Sequence, residues 1–200
     1  QLRVLNLSEN KIYGFLPPEM SNLVHLEELL FAMNDLTGTI PDYLDTFTQL
    51  KKLSLLDNRF TGTLPDLPHL TKLTHLDLSN NLDLAGTIPA SWGKLRSLRG
   101  LFLSFNDLSG SIPKQIGDMA NLRDLRLSGN LLEGPLPASL GSCRHLKNLY
   151  LDDNALTGEL GALRSLPFLE GVFVRNNRFR GDIDASLEHC DDLLVLDASN

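Results

Sequence analysis

The chain is poor in the groups from which sites of chemistry are made. Its 200 residues include two cysteines, one tryptophan and three methionines. The histidines His25, His69, His75, His145 and His189 make no metal-type spacing with one another or with cysteine. His189-Cys190-Asp191-Asp192 gathers four candidate ligands, but neighbours on a turn point in different directions, so no metal and no cofactor is expected. There is no GxSxG, phosphate-binding loop or kinase motif, and no carboxylate pair falls in a pattern that makes a cleft, so no enzyme is expected. Long apolar runs are also missing: nothing approaches the roughly 18–20 residues of a membrane span, and no basic-plus-apolar leader opens the chain. No membrane insertion by this segment is therefore expected. Cations are in deficit, with Lys+Arg 18 against Asp+Glu 25 and a net charge of -7, which argues against a nucleic-acid partner. Hydrophobic content of 42% beside 22% charge is that of a folded domain.

What the chain has in abundance is repetition. Gly-x-(Ile/Leu)-Pro recurs as GFLP, GTIP, GTLP, GTIP, GSIP and GPLP, ending at Pro17, Pro41, Pro65, Pro89, Pro113 and Pro137. Each is preceded by a phrase of the type LxxLxLxxNxL, such as the segment running from Leu122 through Leu125, Leu127 and Asn130 to Leu132. A fixed period of about 24 residues means a solenoid, one supersecondary unit stacked on itself. Coils begin at Leu2, Leu26, Leu50, Leu73, Leu98, Leu122, Leu146, Leu169 and Leu193. Residues 1–200 are thus read as a single solenoid fragment, eight full coils and the start of a ninth. Terminal caps are expected to lie outside it, with any leader, anchor or effector domain.

Within a coil, the first, fourth and sixth positions (Leu98, Leu101, Leu103) are apolar and point inward. The alternation at Leu101-Phe102-Leu103-Ser104 has the period of two of a short strand. Strands of successive coils pair in parallel about 4.8 Å apart, so eight coils make a sheet about 40 Å long. The ninth position is Asn10, Asn34, Asn58, Asn81, Asn106, Asn130, Asn154 and Asn177. There the chain leaves the sheet and its backbone groups need partners; an amide offers both donors and an acceptor, so this row is read as a structural ladder. The recurrent glycines, Gly14 to Gly181, supply backbone freedom or close approach. Departures are local: the third coil has lost a residue after Pro65, the fourth has gained one between Asn81 and Leu84, and Gly161 and Asp184 replace the seventh and eighth prolines. Cys143 and Cys190 share one position two coils apart, about 10 Å, beyond disulfide reach, and are read as core thiols.

The phrase LxxLxLxxNxLxGx(I/L)P resembles the plant-type leucine-rich repeat, and the resemblance covers essentially the whole chain. It implies an α/β-class solenoid: a right-handed superhelix with a concave parallel β-sheet, extra strands beside it, an irregular or 3₁₀ convex side and little regular α-helix. Members of this class are mostly extracellular parts of receptor kinases and receptor-like proteins, or secreted inhibitors of cell-wall-degrading enzymes. The family also often places a buried cysteine where Cys143 and Cys190 stand.

Candidate binding residues follow from counting outward positions. The second, third, fifth, seventh and eighth of each coil face away from the core, and the fifth sits at the strand centre. Four successive coils put Phe102, Arg126, Tyr150 and Phe173 there, in a line at about 5 Å intervals, flanked by Phe105, Asp152 and Arg175. The fold does not require aromatics at these places, and aromatics with arginine are the chemistry of interface hot spots; the competing reading is that Arg126 only stacks between its ring neighbours. The second position reads Arg99, Arg123, Lys147, a basic row that a carboxylate such as Asp124, or a partner's acidic group, would relieve. Leu30, Met33 and Leu56 form a weaker apolar patch. Asn6-Leu7-Ser8 is the one N-glycosylation sequon, which makes Asn6 a candidate glycan acceptor.

The expected function is recognition of a protein or peptide ligand on the concave face, as part of the extracellular ligand-binding region of a receptor-like protein or receptor kinase, with a co-receptor as a further partner. The alternatives are a soluble secreted inhibitor of another protein's active site and a cytoplasmic scaffold.

Overall fold

The computed structural model describes residues 1–199. Nine three-residue strands form one parallel sheet in strict chain order: Val4–Asn6, Glu28–Leu30, Lys52–Ser54, His75–Asp77, Gly100–Phe102, Asp124–Arg126, Asn148–Tyr150, Gly171–Phe173 and Val195–Asp197. Register is constant from coil to coil, so residues at the fourth position, Leu101, Leu125 and Leu149, lie side by side. Eight further strands of two to five residues, from Tyr13–Gly14 to Arg178–Phe179, make a second parallel sheet on the flank. Single 3₁₀ turns, such as Ala90–Lys94 and Lys114–Asp118, close the convex side, each entered from an extended proline except Gly161–Ser165, which follows Leu160. The one α-helix among the described residues is the five-residue Ile183–Leu187. This is the leucine-rich-repeat solenoid that the repeat predicts.

The inward leucines make a single continuous core, with Leu98, Leu101 and Leu103 fully buried and the same pattern in the coils on either side. In the shortened third coil the 3₁₀ turn is missing. Trp92 from the following coil is fully buried, and its indole N–H donates to the Pro65 carbonyl at 2.9 Å. Cys143 and Cys190 are free and buried, their thiols directed at the carbonyls of Ile116 (3.2 Å) and Leu163 (3.4 Å). Burial pushes the Cys143 thiol up to about 12, with Asp118 adding to the shift.

The asparagine row ties coil to coil. Asn130 donates to the Leu127 carbonyl of its own coil (3.0 Å) and to Leu103 of the preceding one (2.9 Å), while its Oδ1 accepts from Leu108 N (3.1 Å). Asn34, Asn58, Asn154 and Asn177 repeat the pattern. The extra residue of the fourth coil disturbs one rung. Asn106 Oδ1 accepts from Asn81 N at 3.0 Å, and Leu84 N, which would have been its donor, turns to Asn81 O at 2.8 Å. Among the described residues no buried side-chain nitrogen or oxygen is left without a partner. The glycine row meets both expected needs at Gly86: its φ is +82°, and a Cβ there would lie 2.9 Å from the Thr63 methyl.

Replacing Asn106 with Ala removes a buried amide and strands two carbonyls and an N–H. We expect a loss of about 3 kcal/mol in urea unfolding. Asn10→Ala, at the exposed end of the row, is expected to cost under about 1 kcal/mol.

Candidate recognition surface

Constant register turns the fifth position into a line of touching side chains. Arg126 lies opposite Phe102 on one side and Tyr150 on the other, and Tyr150 lies opposite Phe173. The Arg126 guanidinium carbon is 5.1 Å from the Phe102 ring centre and 4.9 Å from that of Tyr150, a cation held between two π faces. Tyr150 and Phe173 stack with centroids 4.5 Å apart and planes within 1°. The stacking expected of Arg126 is therefore present, and it extends one ring further into a four-member platform.

The rings lie flat because the sequence clears space for them. A Cβ on Gly100 would fall 2.7 Å from Phe102 Cζ, and one on Gly171 would fall 3.1 Å from Phe173 Cε2. Glycine two residues before phenylalanine, on the same face of the strand, is a signal that counting outward positions overlooks. The eighth position carries a second such signal. In all eight full coils it has φ between +51° and +65°, the left-handed region, held by Glu9, Met33, Asp57, Asn80, Phe105, Gly129, Asp153 and Asn176. A bulky residue is unusual there. Phe105 nevertheless holds it at φ +59° with its side chain exposed, and its ring occupies the space that a Cβ on Gly129 would need, 2.6 Å from Phe105 Cδ1.

Phe102, Phe105, Arg126 and Tyr150 line an open groove of about 480 Å³ that reaches Leu56 and Asp77 at one end and Asp152 and Arg175 at the other. Leu56 thus joins the weaker apolar patch to the platform, while Met33 stays exposed on the rim. Burial raises the Asp77 carboxyl above its usual range, opposed by its bond from Ser79 and by the Arg126 charge. Asp152 accepts from Arg175 N at 3.1 Å and from the Ser128 hydroxyl at 3.3 Å, and Arg175 pairs with Asp153 at 3.7 Å.

Two expectations need correcting. The seventh position does not emerge throughout: Ser79 and Ser104 are buried, because the neighbouring coils close over this small side chain. Nor does Asp124 relieve the basic row; it accepts from the Asn148 amide at 2.7 Å. Lys147 finds its carboxylate one coil on, in Glu170, whereas Arg99 and Arg123 are exposed with no ion pair among the described residues. Asn6 is exposed on the first strand, its Oδ1 accepting from Ser8 N at 3.0 Å. Among the described residues no three His, Cys, Asp or Glu side chains are grouped to hold a metal ion, and no helix is long and apolar enough to cross a membrane.

Sequence comparison matches a leucine-rich-repeat model over residues 48–108 and a second model of the same description over 1–23 and 121–143, together more than half the chain. The chain belongs to the leucine-rich-repeat family. None of the curated protein sequences compared matches it significantly. Among solved structures, its repeat is of the plant type. It is similar to the ectodomain of GASSHO1/SCHENGEN3, a plant membrane receptor kinase from Arabidopsis thaliana in complex with CASPARIAN STRIP INTEGRITY FACTOR 2, at 30% identity and TM-score 0.80, covering 99% of this chain and 27% of that one. It is also similar to the Arabidopsis HAESA receptor kinase ectodomain in complex with an N-terminally extended IDA peptide hormone, at 31% identity and TM-score 0.86, covering 91% and 31%. A plant ice-binding protein is similar at 28% identity and TM-score 0.77, covering 98% and 71%. This leucine-rich-repeat chain thus spans less than a third of the length of either receptor ectodomain.

The Phe105–Gly129 contact can be isolated by a double-mutant cycle. Gly129→Ala is expected to cost about 2 kcal/mol in chemical denaturation, from left-handed strain plus the ring contact. In a Phe105→Ala background the same change should cost about 1 kcal/mol, the strain alone.

Proposed function

We propose that this chain is a non-catalytic recognition module whose concave face, over coils five to eight, binds an extended protein or peptide segment. The observation that carries the reading is the Phe102–Arg126–Tyr150–Phe173 platform: three half-buried aromatic rings and an exposed guanidinium in register, on a wall that the core does not need. Phe105 forms one edge of the groove, and Asp152 and Arg175 supply polar groups at its far end. Arg99 and Arg123 border the platform and orient a ligand that carries acidic groups, beside Lys147, whose charge Glu170 already partners. The peptide-bound receptor kinases named above support placing the module in the extracellular ligand-binding region of a receptor-like protein or receptor kinase, with a co-receptor as second partner. Asn6, on a coil away from the platform, is then a glycan acceptor that leaves the groove open.

Replacing Phe102, Tyr150 and Phe173 together with Ser, none of which is a core residue, should leave the unfolding midpoint within a few degrees. Affinity for the cognate ligand should fall by at least about 30-fold, the effect of losing a single hot spot. Unchanged affinity with an intact fold overturns the reading.

A second reading rests on the flank sheet. Thr39, Thr63 and Thr87 repeat one conformation, each methyl close over the glycine of the next coil (Gly62, Gly86, Gly110), and no hydrogen bond from their hydroxyls is made among the described residues. A periodic row of methyls and free hydroxyls is suited to an ordered water lattice, and the similarity to a plant ice-binding protein supports it. The chain should then slow ice recrystallisation, and Thr63→Lys should abolish the effect; growth at the rate of a buffer control removes this reading.

A further inference from the structure

The edge of the concave sheet where each coil enters its strand has a different character from the platform. Two positions define it, the second of the coil and the residue just before the coil begins. Over coils three to seven they read Gln49 and Lys51, Lys72 and Thr74, Ser97 and Arg99, Asn121 and Arg123, and His145 and Lys147. No carboxylate occurs among them, in a chain of net charge -7. The cations at the two ends are neutralised: Lys51 pairs with Glu27 at 2.5 Å, and Lys147 pairs with Glu170. Those between them are not. Lys72 Nζ reaches only the neutral Gln49 Oε1, at 2.5 Å, and the Arg99 and Arg123 side chains have no hydrogen bond or ion pair among the described residues.

Lys51, Lys72, Thr74, Ser97, Arg99 and Asn121 line one open cleft of about 360 Å³ along this edge. Asn121 spends one amide proton on the Arg96 carbonyl at 2.8 Å and keeps the other for a ligand. The positive field is felt by His75 next to the cleft, whose pKa is lowered first by burial and then by Lys52 and Arg99, with Asp124 opposing.

We propose that this edge binds a linear polyanion carrying one carboxylate or sulfate per repeating unit, the chemistry of an acidic oligosaccharide. Three features select that class. From Lys72 to Arg123 is two coil steps, about 10 Å, so a chain whose charges recur near the strand spacing meets one cation per unit over about three units. The same-face side chains of an extended peptide recur at about 6.6 Å and fall out of step with the row. Every residue lining the cleft is polar or charged, so it offers no apolar anchor of the kind that forms the centre of protein interfaces. This edge borders the aromatic platform through Arg99 and Arg123 but its cleft is lined by none of the platform's rings, so its binding does not depend on the peptide reading.

Titration of the full 200-residue chain with 1,4-linked uronate oligomers at low salt tests the proposal. Affinity should rise steeply from the dimer to the trimer and level off by the pentamer. It should weaken as salt increases and be absent for a neutral glucan of equal length. A sulfated oligomer run in parallel tells which anion is preferred. Arg99→Gln and Arg123→Gln should each cost roughly tenfold, the loss of one charge-assisted hydrogen bond. Arg59→Gln, on the flank sheet, should change nothing, and the variant with Phe102, Tyr150 and Phe173 changed to Ser should bind the oligomer as tightly as the parent chain. Binding that ignores oligomer length, that survives both edge substitutions, or that is matched by polyglutamate or a single-stranded oligonucleotide of equal charge would overturn it.

Discussion

An asparagine amide shared between two coils is the interaction on which the rest of the structure depends. Where the chain leaves the concave sheet and enters the flank sheet, the carbonyl at the sixth position and the N–H at the eleventh both need partners. Asn130 serves both kinds of group at once, donating to Leu103 and Leu127 and accepting from Leu108. Because one partner always belongs to the preceding coil, the bond that closes a turn also fixes the step to the next. Register is then constant, and a residue type repeated at one position becomes a physical row. The insertion in the fourth coil shows how firmly the requirement holds. The extra residue is accommodated by re-pairing Asn81 N and Leu84 N locally, and the concave strands on either side keep their register.

The aromatic platform is built on that regularity by removing atoms. Phe102 lies over Gly100, Phe173 over Gly171 and Phe105 beside Gly129, each ring occupying space that a Cβ would have filled. Glycine inside a strand gives up side-chain packing and backbone order, so core stability does not account for its presence twice in a row of three-residue strands. Phe105 adds left-handed backbone strain to the same surface. Three rings, three glycines and one strained residue within four coils make a closely fitted wall, the kind of surface that would lose little side-chain freedom in a contact.

Much of this was legible in the sequence, because a repeat converts counting into geometry. The positions of Leu98, Leu101 and Leu103 in the core, of Asn106 and Asn130 in the ladder, and of Phe102, Arg126, Tyr150 and Phe173 in one line all follow from period and alternation. The remainder depends on neighbours that counting does not weigh. Ser79 and Ser104 sit at an outward position, yet they are small enough for adjoining coils to cover. Asp124 stands beside the basic row, yet the nearer amide of Asn148 takes it, and Lys147 reaches forward to Glu170 instead. The left-handed eighth position has no residue signature at all, since Glu, Met, Asp, Asn, Phe and Gly all hold it; the backbone turn imposes it.

Translational repetition also governs charge. Cations one coil apart stand about 5 Å from each other, close enough to repel through partly exposed surroundings. The concave face holds its cations in two different settings. At the centre of the concave face, Arg126 is enclosed between two π faces, so its charge serves the stack and its planar group adds to the platform. At the entering edge, carboxylates neutralise only the outermost lysines, and Lys72, Arg99 and Arg123 keep unpaired charge in a chain that is acidic as a whole. Folding alone would favour an acid at one of the intervening positions 74, 97 or 121, where Thr, Ser and Asn stand. Uncharged hydrogen-bonding residues at all three leave the repulsion in place in the free protein, and an anionic ligand lying along the edge would relieve it.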